Sequence, residues 1–441
     1  MQEKIIEFLK NKNIAIVGYG REGKSTYNFL RKHLKNQIFT IIDNNKDLLN
    51  NNEELQNDPN LKFVLGEKAL ENLEIYDCII KAPGVKFKDL DISKFKDKIT
   101  SQLGLTLDYF RENIIGVTGT KGKSTTTTLI SEVLKDQGKK TYLVGNIGIP
   151  IFNYIDEYDE NSILVTEIGA PQLEFVKNSP HISLILNLFE EHLDFFGTKE
   201  KYFETKMKVF DYQDSNDYGL YFGENKTLKE YIEKGNYASK LIDISKEIKL
   251  NNTDVYYKGK RVYNTKDERY ILGKHNLHNI FFVIALSELL HLDLEKTVKT
   301  INNFKGLEHR MEYVGLYNGV KYYNDSIATI PDACINAIET LNPTTLIFGG
   351  MDRGIDYSNL IKYFNESNIE NFICMPETGL KIGKEIKNKN VYFVDTLEEA
   401  IKITKGIGKG ICLMSPAAPS YNAFKNFEEK GRKYKEIIKE G

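Results

Sequence analysis

The chain has 441 residues, with 60 basic and 62 acidic side chains and a net charge of −2. At about 100–200 residues per domain it is too long for one ordinary core, and three domains are expected. The balanced charge gives no single-sign field, which argues against nucleic acid or an anionic membrane as the main partner.

The N-terminal stretch MQEKIIEFLK is charged and amphipathic rather than an apolar signal core, and no window approaches the roughly 18 apolar residues of a membrane span. A soluble, cytoplasmic protein without a membrane span is expected. Ile- and Val-rich runs at 13–18 and 37–43 alternate with helical periodicity, the pattern of parallel α/β units. A second series of strands follows at 113–119, 140–145, 162–167 and 183–188, and a third at 345–349, 371–374, 391–395 and 410–415. Residues 211–272, rich in Asn, Lys and Tyr, predict shorter strands and exposed loops. The four cysteines, Cys78, Cys334, Cys374 and Cys412, lack metal-ligand or redox spacing and read as buried, reduced thiols. The expected fold is α/β, with a Rossmann-like domain at 1–105, a central P-loop ATPase-type domain at 106–306 and a Rossmann-like domain at 307–441.

Two glycine-rich loops follow strands. The first, Gly18-Tyr-Gly20-Arg21-Glu-Gly23-Lys24-Ser25, satisfies both a dinucleotide fingerprint and the P-loop spelling. Its amides suit a nucleotide diphosphate, with Asp43 at the next strand end for a ribose or base; the plain alternative is a tight strand-to-helix turn. The second, Thr118-Gly119-Thr120-Lys121-Gly122-Lys123-Ser124-Thr125, has Val117 where the P-loop's first glycine belongs. It nevertheless offers backbone amides, Lys123 for β/γ-phosphate charge and the Ser124 hydroxyl for Mg²⁺. Acidic and imidazole groups follow only this second loop, so ATP is assigned to it and Lys24 is not taken as the catalytic lysine. Glu167 ends a buried-looking strand, where an unpaired carboxylate is costly unless it meets a cation. His192 lies just beyond another strand, at the edge where ligands bind open α/β sheets. A metal role follows for Glu167; a lone histidine at such a place is as often structural, but with Glu167, Ser124 and a triphosphate nearby metal ligation is the better reading of His192. Lys206, on a helical stretch, reads by composition as a solvated surface lysine.

Taken together these motifs resemble the Mur ligase family over essentially the whole chain. Residues 118–125 look like its ATP loop, Gly145-Asn146-Ile-Gly148 its substrate-contacting turn and Glu190-Glu-His192-Leu-Asp194 its metal-binding turn. Residues 273–279, Leu307-Glu-His-Arg310, Asn324-Asp325-Ser326, and 415–420 through 425–428 complete the series. The resemblance implies a UDP-binding first domain, an ATPase centre and a C-terminal domain bringing glutamate. It implies an amide-forming ligase, expected to be monomeric, that joins glutamate, most simply D-glutamate, to UDP-N-acetylmuramoyl-L-alanine through an acyl phosphate. It further implies ATP contacts from Gly119–Thr125, Asn279 to the adenine, Asp325 to the ribose, and Arg310. Gly18, Gly20, Arg21, Asp43, Asn146 and Gln172 would hold the UDP substrate, and Ser420 and Phe427 the amino acid. Two Mg²⁺ ions would be held by Ser124, Glu167, His192 and a carbamylated Lys206. Rival readings are a close variant that adds L-glutamate, another Mur ligase, a folylpolyglutamate synthase, a P-loop kinase, or an idle nucleotide-binding protein on the same fold.

The match has departures. The family's Asn-Asp-Ser-Lys-Ala-Thr-Asn becomes Asn324-Asp-Ser-Ile327-Ala-Thr-Ile330, so a lysine is missing. Arg353 is expected to compensate and to grip a glutamate carboxylate, its fork being suited to bidentate pairing. Glu-x-Ser-Ser-x-Gln becomes Glu167-Ile-Gly-Ala-Pro-Gln172, losing two hydroxyls, and Ala418-Pro419 replaces Cys-Ala.

Overall fold

A computed structural model describes residues 2–440 and divides into two compact units. One runs through Thr265 and takes back Asn279–Val298; the other holds Lys266–His278 and the chain from Lys299 onward.

The first unit contains two parallel sheets. β1 (Ile14–Val17), β2 (Phe39–Asp43), β3 (Leu61–Leu65), β4 (Cys78–Lys81) and β5 (Ile99–Thr100) lie in the order β3-β2-β1-β4-β5. β1 and β4 are buried along their whole length, which is why both read as unbroken apolar runs: helices cover parallel strands on both faces. β6 (Ile114–Thr118), β7 (Thr141–Gly145), β8 (Ile163–Glu167), β9 (Ile182–Ile185), β10 (Tyr218–Tyr221) and β11 (Lys240–Asp243) form the order β11-β10-β9-β6-β8-β7. The chain departs from β6 to one side and returns to its other side, so the loop after β6 sits at a switch point on the carboxyl edge, where such sheets bind ligands. The stretch 211–272 supplies shorter strands as expected, but β10 and β11 extend this sheet. Only β12 (Ile248–Asn251), β13 (Asp254–Tyr257) and β14 (Lys260–Asn264) form a separate antiparallel sheet.

The second unit is built on β15 (Glu312–Tyr317), β16 (Val320–Asn324), β17 (Thr345–Phe348), β18 (Asn371–Cys374), β19 (Asn390–Phe393) and β20 (Gly410–Met414), ordered β15-β16-β20-β17-β18-β19. The strand expectations from 345 onward hold to within about two residues, but the antiparallel β15–β16 pair was not expected. Its signal is the Asn318-Gly319 turn, both residues at positive φ (49° and 79°), the pair that a tight hairpin favours. All four cysteines are buried, and desolvation pushes each thiol up to about 12. Among the described residues no helix is long and apolar enough to cross a membrane.

Candidate active site

The loop after β6 enters the helix Lys123–Asp136 through Gly122, whose φ of +87° leaves no room for a side chain: a Cβ there would lie 2.5 Å from Asn279 Oδ1. The first-turn amides therefore point outward from a helix N-terminus, a ready anion site. Asn187, after β9, clamps this loop. Its Oδ1 accepts from the Thr120 and Lys121 N–H groups at 3.1 and 2.9 Å, and its Nδ2 donates to the Lys121 carbonyl at 3.0 Å. The Thr120 hydroxyl donates to the Phe189 carbonyl at 3.1 Å and lies 3.3 Å from the Tyr202 hydroxyl. Lys123 Nζ curls back onto the Gly119 and Thr120 carbonyls, 2.9 Å from each. Ser124 and Thr125 stand half-buried on the first helical turn.

Lys206 lies beneath the same loop. The helix Lys199–Asp211 turns Tyr202, Phe203, Lys206 and Phe210 inward, and Lys206 is 1% exposed, which overturns its reading as a solvated surface lysine. Its Nζ donates to the Gly119 carbonyl at 2.8 Å and to Thr118 Oγ1 at 3.3 Å. Desolvation, helped by the Lys123 charge and opposed by Glu191 and Glu167, holds the amine well below the usual lysine range. Glu167, at the end of β8, is also 1% exposed. Its Oε1 accepts from Asn146 Nδ2 at 2.7 Å, while Oε2 has no hydrogen-bond partner among the described residues. A buried, half-satisfied carboxylate of this kind fits a hard cation such as Mg²⁺, which takes oxygen ligands.

His192 is placed differently from its neighbours. It has a φ of 58°, its side chain is 53% exposed, and its Nε2 lies 3.6 Å from Glu191 Oε2. Among the described residues the close three-ligand group of imidazole and carboxylates is elsewhere, at Glu112, His181 and Asp217, and there Arg111 already occupies Asp217.

The first glycine loop borders a cavity of about 290 Å³ lined by Gly18, Asp43, Asn44, Gly84, Val85 and Lys86, among others. Asp43 shapes the loop, its Oδ2 accepting the Tyr19 N–H at 2.7 Å. A Cβ on Gly20 would meet nothing within 4 Å, so the loop backbone is open to a ligand there. Arg21 reaches the middle sheet's turn, its Nη1 2.9 Å from where a Gly148 Cβ would stand. Gln172 is engaged in the joint between the two sheets: it accepts from the Gly169 N–H at 2.9 Å and donates to Glu22 Oε1 at 2.6 Å. Burial raises that Glu22 carboxyl to about 7. Lys24 turns away to an exposed pair with Glu54 at 2.7 Å. Such pairs contribute about 0–1 kcal/mol, so Lys24→Ala is expected to shift the melting temperature by no more than about 4 °C and to leave kcat within about twofold, with any loss confined to the KM of the nucleotide substrate. Steady-state kinetics with each substrate varied checks this.

In the second unit both Asp325 oxygens have protein donors: Ser415 Oγ at 2.8 Å and the Met311 N–H at 3.1 Å. Burial raises its carboxyl to about 7, those bonds and Arg310 opposing. Arg310 itself is exposed. Arg353 stands on an exposed loop with its guanidinium 5.8 Å from the Tyr421 ring centroid. The Met351 N–H donates to the Pro419 carbonyl at 2.7 Å, which ties that loop to the turn carrying Ser420. Ser420 is buried, and its Oγ has no hydrogen-bond partner among the described residues. Phe427 packs edge-on against His309, ring centroids 6.0 Å apart.

Three family models match in order along the chain: the Mur ligase MurD-like N-terminal domain over residues 12–104, the Mur ligase middle domain over 117–287, and the Mur ligase glutamate ligase domain over 309–415. The chain belongs to the Mur ligase family. It is 34% identical over 447 residues to the UDP-N-acetylmuramoylalanine–D-glutamate ligase of Clostridioides difficile (strain 630), covering 98% of this chain and 99% of that protein. The protein of the same name from Thermoanaerobacter sp. (strain X514) is 33% identical, over 98% of this chain and 99% of its own. Among solved structures, the UDP-N-acetylmuramate-alanine ligase of Thermotoga maritima aligns over 98% of this chain and 100% of its own, with a TM-score of 0.56 and 19% identity. The MurF ligase of the same organism in complex with ADP aligns over 99% and 97%, with a TM-score of 0.54 and 16% identity. At such identities these two speak for the fold.

Within this Mur ligase frame the sequence motifs locate the loops but miss several of the side chains that shape them. Asn187 falls in the strand expected at 183–188 and Tyr202 on the helical stretch of Lys206, yet only the fold shows them bracing the phosphate loop. Lys86 lines the first cavity and pairs with Asp194 of the acidic turn at 2.9 Å, a contact across more than 100 residues that no local pattern signals.

Proposed function

We propose that this chain is an ATP-dependent ligase that adds D-glutamate to UDP-N-acetylmuramoyl-L-alanine, releasing ADP and phosphate, in the synthesis of peptidoglycan precursors. The observation that carries the reading is the set of groups at the loop after β6 and the end of β8: Lys123, the buried Lys206 amine and a Glu167 oxygen that has no hydrogen-bond partner among the described residues. It stands in a chain related over its whole length to named D-glutamate ligases.

In this reading the functional domains are 1–105, 106–306 and 307–441. The Gly18 loop and its cavity, with Gly20, Arg21, Asp43 and Asn146, receive the UDP-linked substrate. Gln172, proposed with them for the UDP-linked substrate, also holds the joint between the two sheets through Gly169 and Glu22. Amides of Gly119, Thr120, Lys121, Gly122 and Thr125 cradle the ATP phosphates, with Asn279 at the adenine; Arg310 and Asp325 are also proposed as ATP-binding residues. Lys123 leaves its two carbonyl partners to meet charge on the transferring phosphoryl group. The substrate carboxylate takes the γ-phosphoryl group, the glutamate amine attacks the resulting acyl phosphate, and phosphate leaves as the amide forms. Arg353, Ser420 and Phe427 hold the glutamate. Mg²⁺, when bound, supplies positive charge that offsets the polyphosphate. Ser124, Glu167, His192 and a carbamylated Lys206 would hold two such ions; the His192 ring already lies against Tyr202, centroids 5.8 Å apart, beside the phosphate loop. The buried amine of Lys206 supports carbamylation, because an amine must be neutral to attack CO₂. The protein is proposed to act as a cytoplasmic monomer.

Phosphate release and product mass should be measured with Mg-ATP and UDP-N-acetylmuramoyl-L-alanine, offering D- and L-glutamate separately. Amide product with D-glutamate is expected. Product with L-glutamate alone would reverse the handedness, and no product or phosphate with either would remove the ligase reading.

A further inference from the structure

Lys430, on the first turn of the helix Phe427–Glu440, is 2% exposed. Its amine donates to the Gly349 carbonyl at 2.8 Å, and burial lowers it to about 8. Methionine would fill such a site without the penalty of desolvating an amine, so packing alone does not account for lysine here.

The carbonyl it holds belongs to the turn that follows β17. Gly349 follows β17 directly, and its N–H donates to the Pro416 carbonyl at 2.9 Å. The Gly350 N–H donates to Thr378 Oγ1 at 3.0 Å, and that hydroxyl donates back to the Gly350 carbonyl at 3.0 Å. The Met351 N–H donates to Pro419, next to Ser420. The turn that launches Arg353 is thus tied to the segment carrying Ser420, and Lys430 ties it to the helix that opens at Phe427. The family lysine replaced by Ile327 would lie next to Ser326, whose buried Oγ has no hydrogen-bond partner among the described residues and closely abuts Gly431.

We infer that Lys430 is a positioning residue for the amino-acid substrate: its buried amine locks the Gly349–Gly350 turn so that Arg353, Ser420 and Phe427 present one fixed receptor to a dicarboxylate. The inference rests on the glutamate-ligase reading. The test is steady-state phosphate release by the full chain and by Lys430→Met and Lys430→Arg, with each substrate varied in turn. Lys430→Met should raise the glutamate KM about tenfold or more, with kcat and the ATP KM changed less than about threefold, and Lys430→Arg should recover most of that KM. An unchanged glutamate KM in Lys430→Met, an equal rise in the ATP KM, or no recovery with arginine would overturn it. Should Lys430→Met fail to melt cooperatively, Thr378→Val loosens the same turn from the opposite side and must raise the glutamate KM selectively; an ordinary KM there overturns the inference. Wild-type protein without glutamate-dependent phosphate release would instead sink the underlying reading.

Discussion

Lys123→Ala will lower ATP-dependent phosphate release by about a hundredfold to a thousandfold, the loss that removal of one preorganised charge-stabilising donor produces, while the protein still melts cooperatively close to the wild-type temperature. Two features set this expectation apart from an ordinary P-loop argument. The amine rests on the Gly119 and Thr120 carbonyls, 2.9 Å from each, so its length already matches the loop it must serve. The loop does not depend on it for shape, because Asn187 holds Thr120 and Lys121 independently. Chemistry and folding are therefore separable at this position. The loss should fall on kcat more than on either KM, since the charge matters most where phosphoryl oxygens gain charge. The paired measurement is Lys24→Ala, the lysine whose loop spells the P-loop more faithfully but which faces Glu54 at the surface. Equal loss of kcat in both variants would overturn the assignment of ATP to the second loop.

That contrast shows what was legible in the sequence and what was not. The buried strands of the parallel sheets were readable because both their faces are covered, so each appears as a run of Ile, Val and Leu ending at the loop that carries function. β15 was not readable in that way: it is a half-buried edge strand, paired only with β16, and it lacks an apolar run. The spelling of the two glycine loops pointed in opposite directions, and only their surroundings decided between them. Lys206 and Lys430 escape composition altogether. A lysine is normally solvated, and nothing local marks one whose helix packs it under a loop formed some 87 residues earlier or against a carbonyl 81 residues away. Asn187 is similar, because its amide matches two N–H groups and a carbonyl that come together only once β6 and β9 pair.

Lys206→Ala should cripple turnover by about two orders of magnitude or more, the scale of losing a group that orders charge at a phosphoryl-transfer centre, and a short carboxylic acid such as formate, acetate or propionate should restore part of it. The reasoning begins with the amine. It is buried against Gly119 and Thr118, and desolvation together with the Lys123 charge favours its neutral form. Neutral amine attacks CO₂ through its lone pair, forming the N–C bond as one C=O π bond opens, and the adduct then gives up an N–H proton to solvent; the product is an anion beside Lys123, where a cation was repelled. An added carboxylate replaces that anion but not an ammonium, so rescue by acids and not by alkylamines discriminates between the two charge states. Full activity in the alanine variant, or rescue by amines alone, would remove the carbamate. Stability gives an independent readout with a definite sign. The folded-state pKa lies below the unfolded value of about 10.4, so in CO₂-depleted buffer the unfolded chain holds a proton that the folded state releases or buries at a cost. That cost is fully present below the folded pKa and fades as pH rises towards the unfolded one. Lys206→Met, which fills the space without a titrating group, should therefore melt at or above the wild-type temperature near neutral pH while remaining inactive, with the gain vanishing as the pH approaches about 10. A methionine variant that melts well below wild type at neutral pH would mean that the amine's bonds to Gly119 and Thr118 outweigh its desolvation, and that Lys206 rests as a structural ammonium.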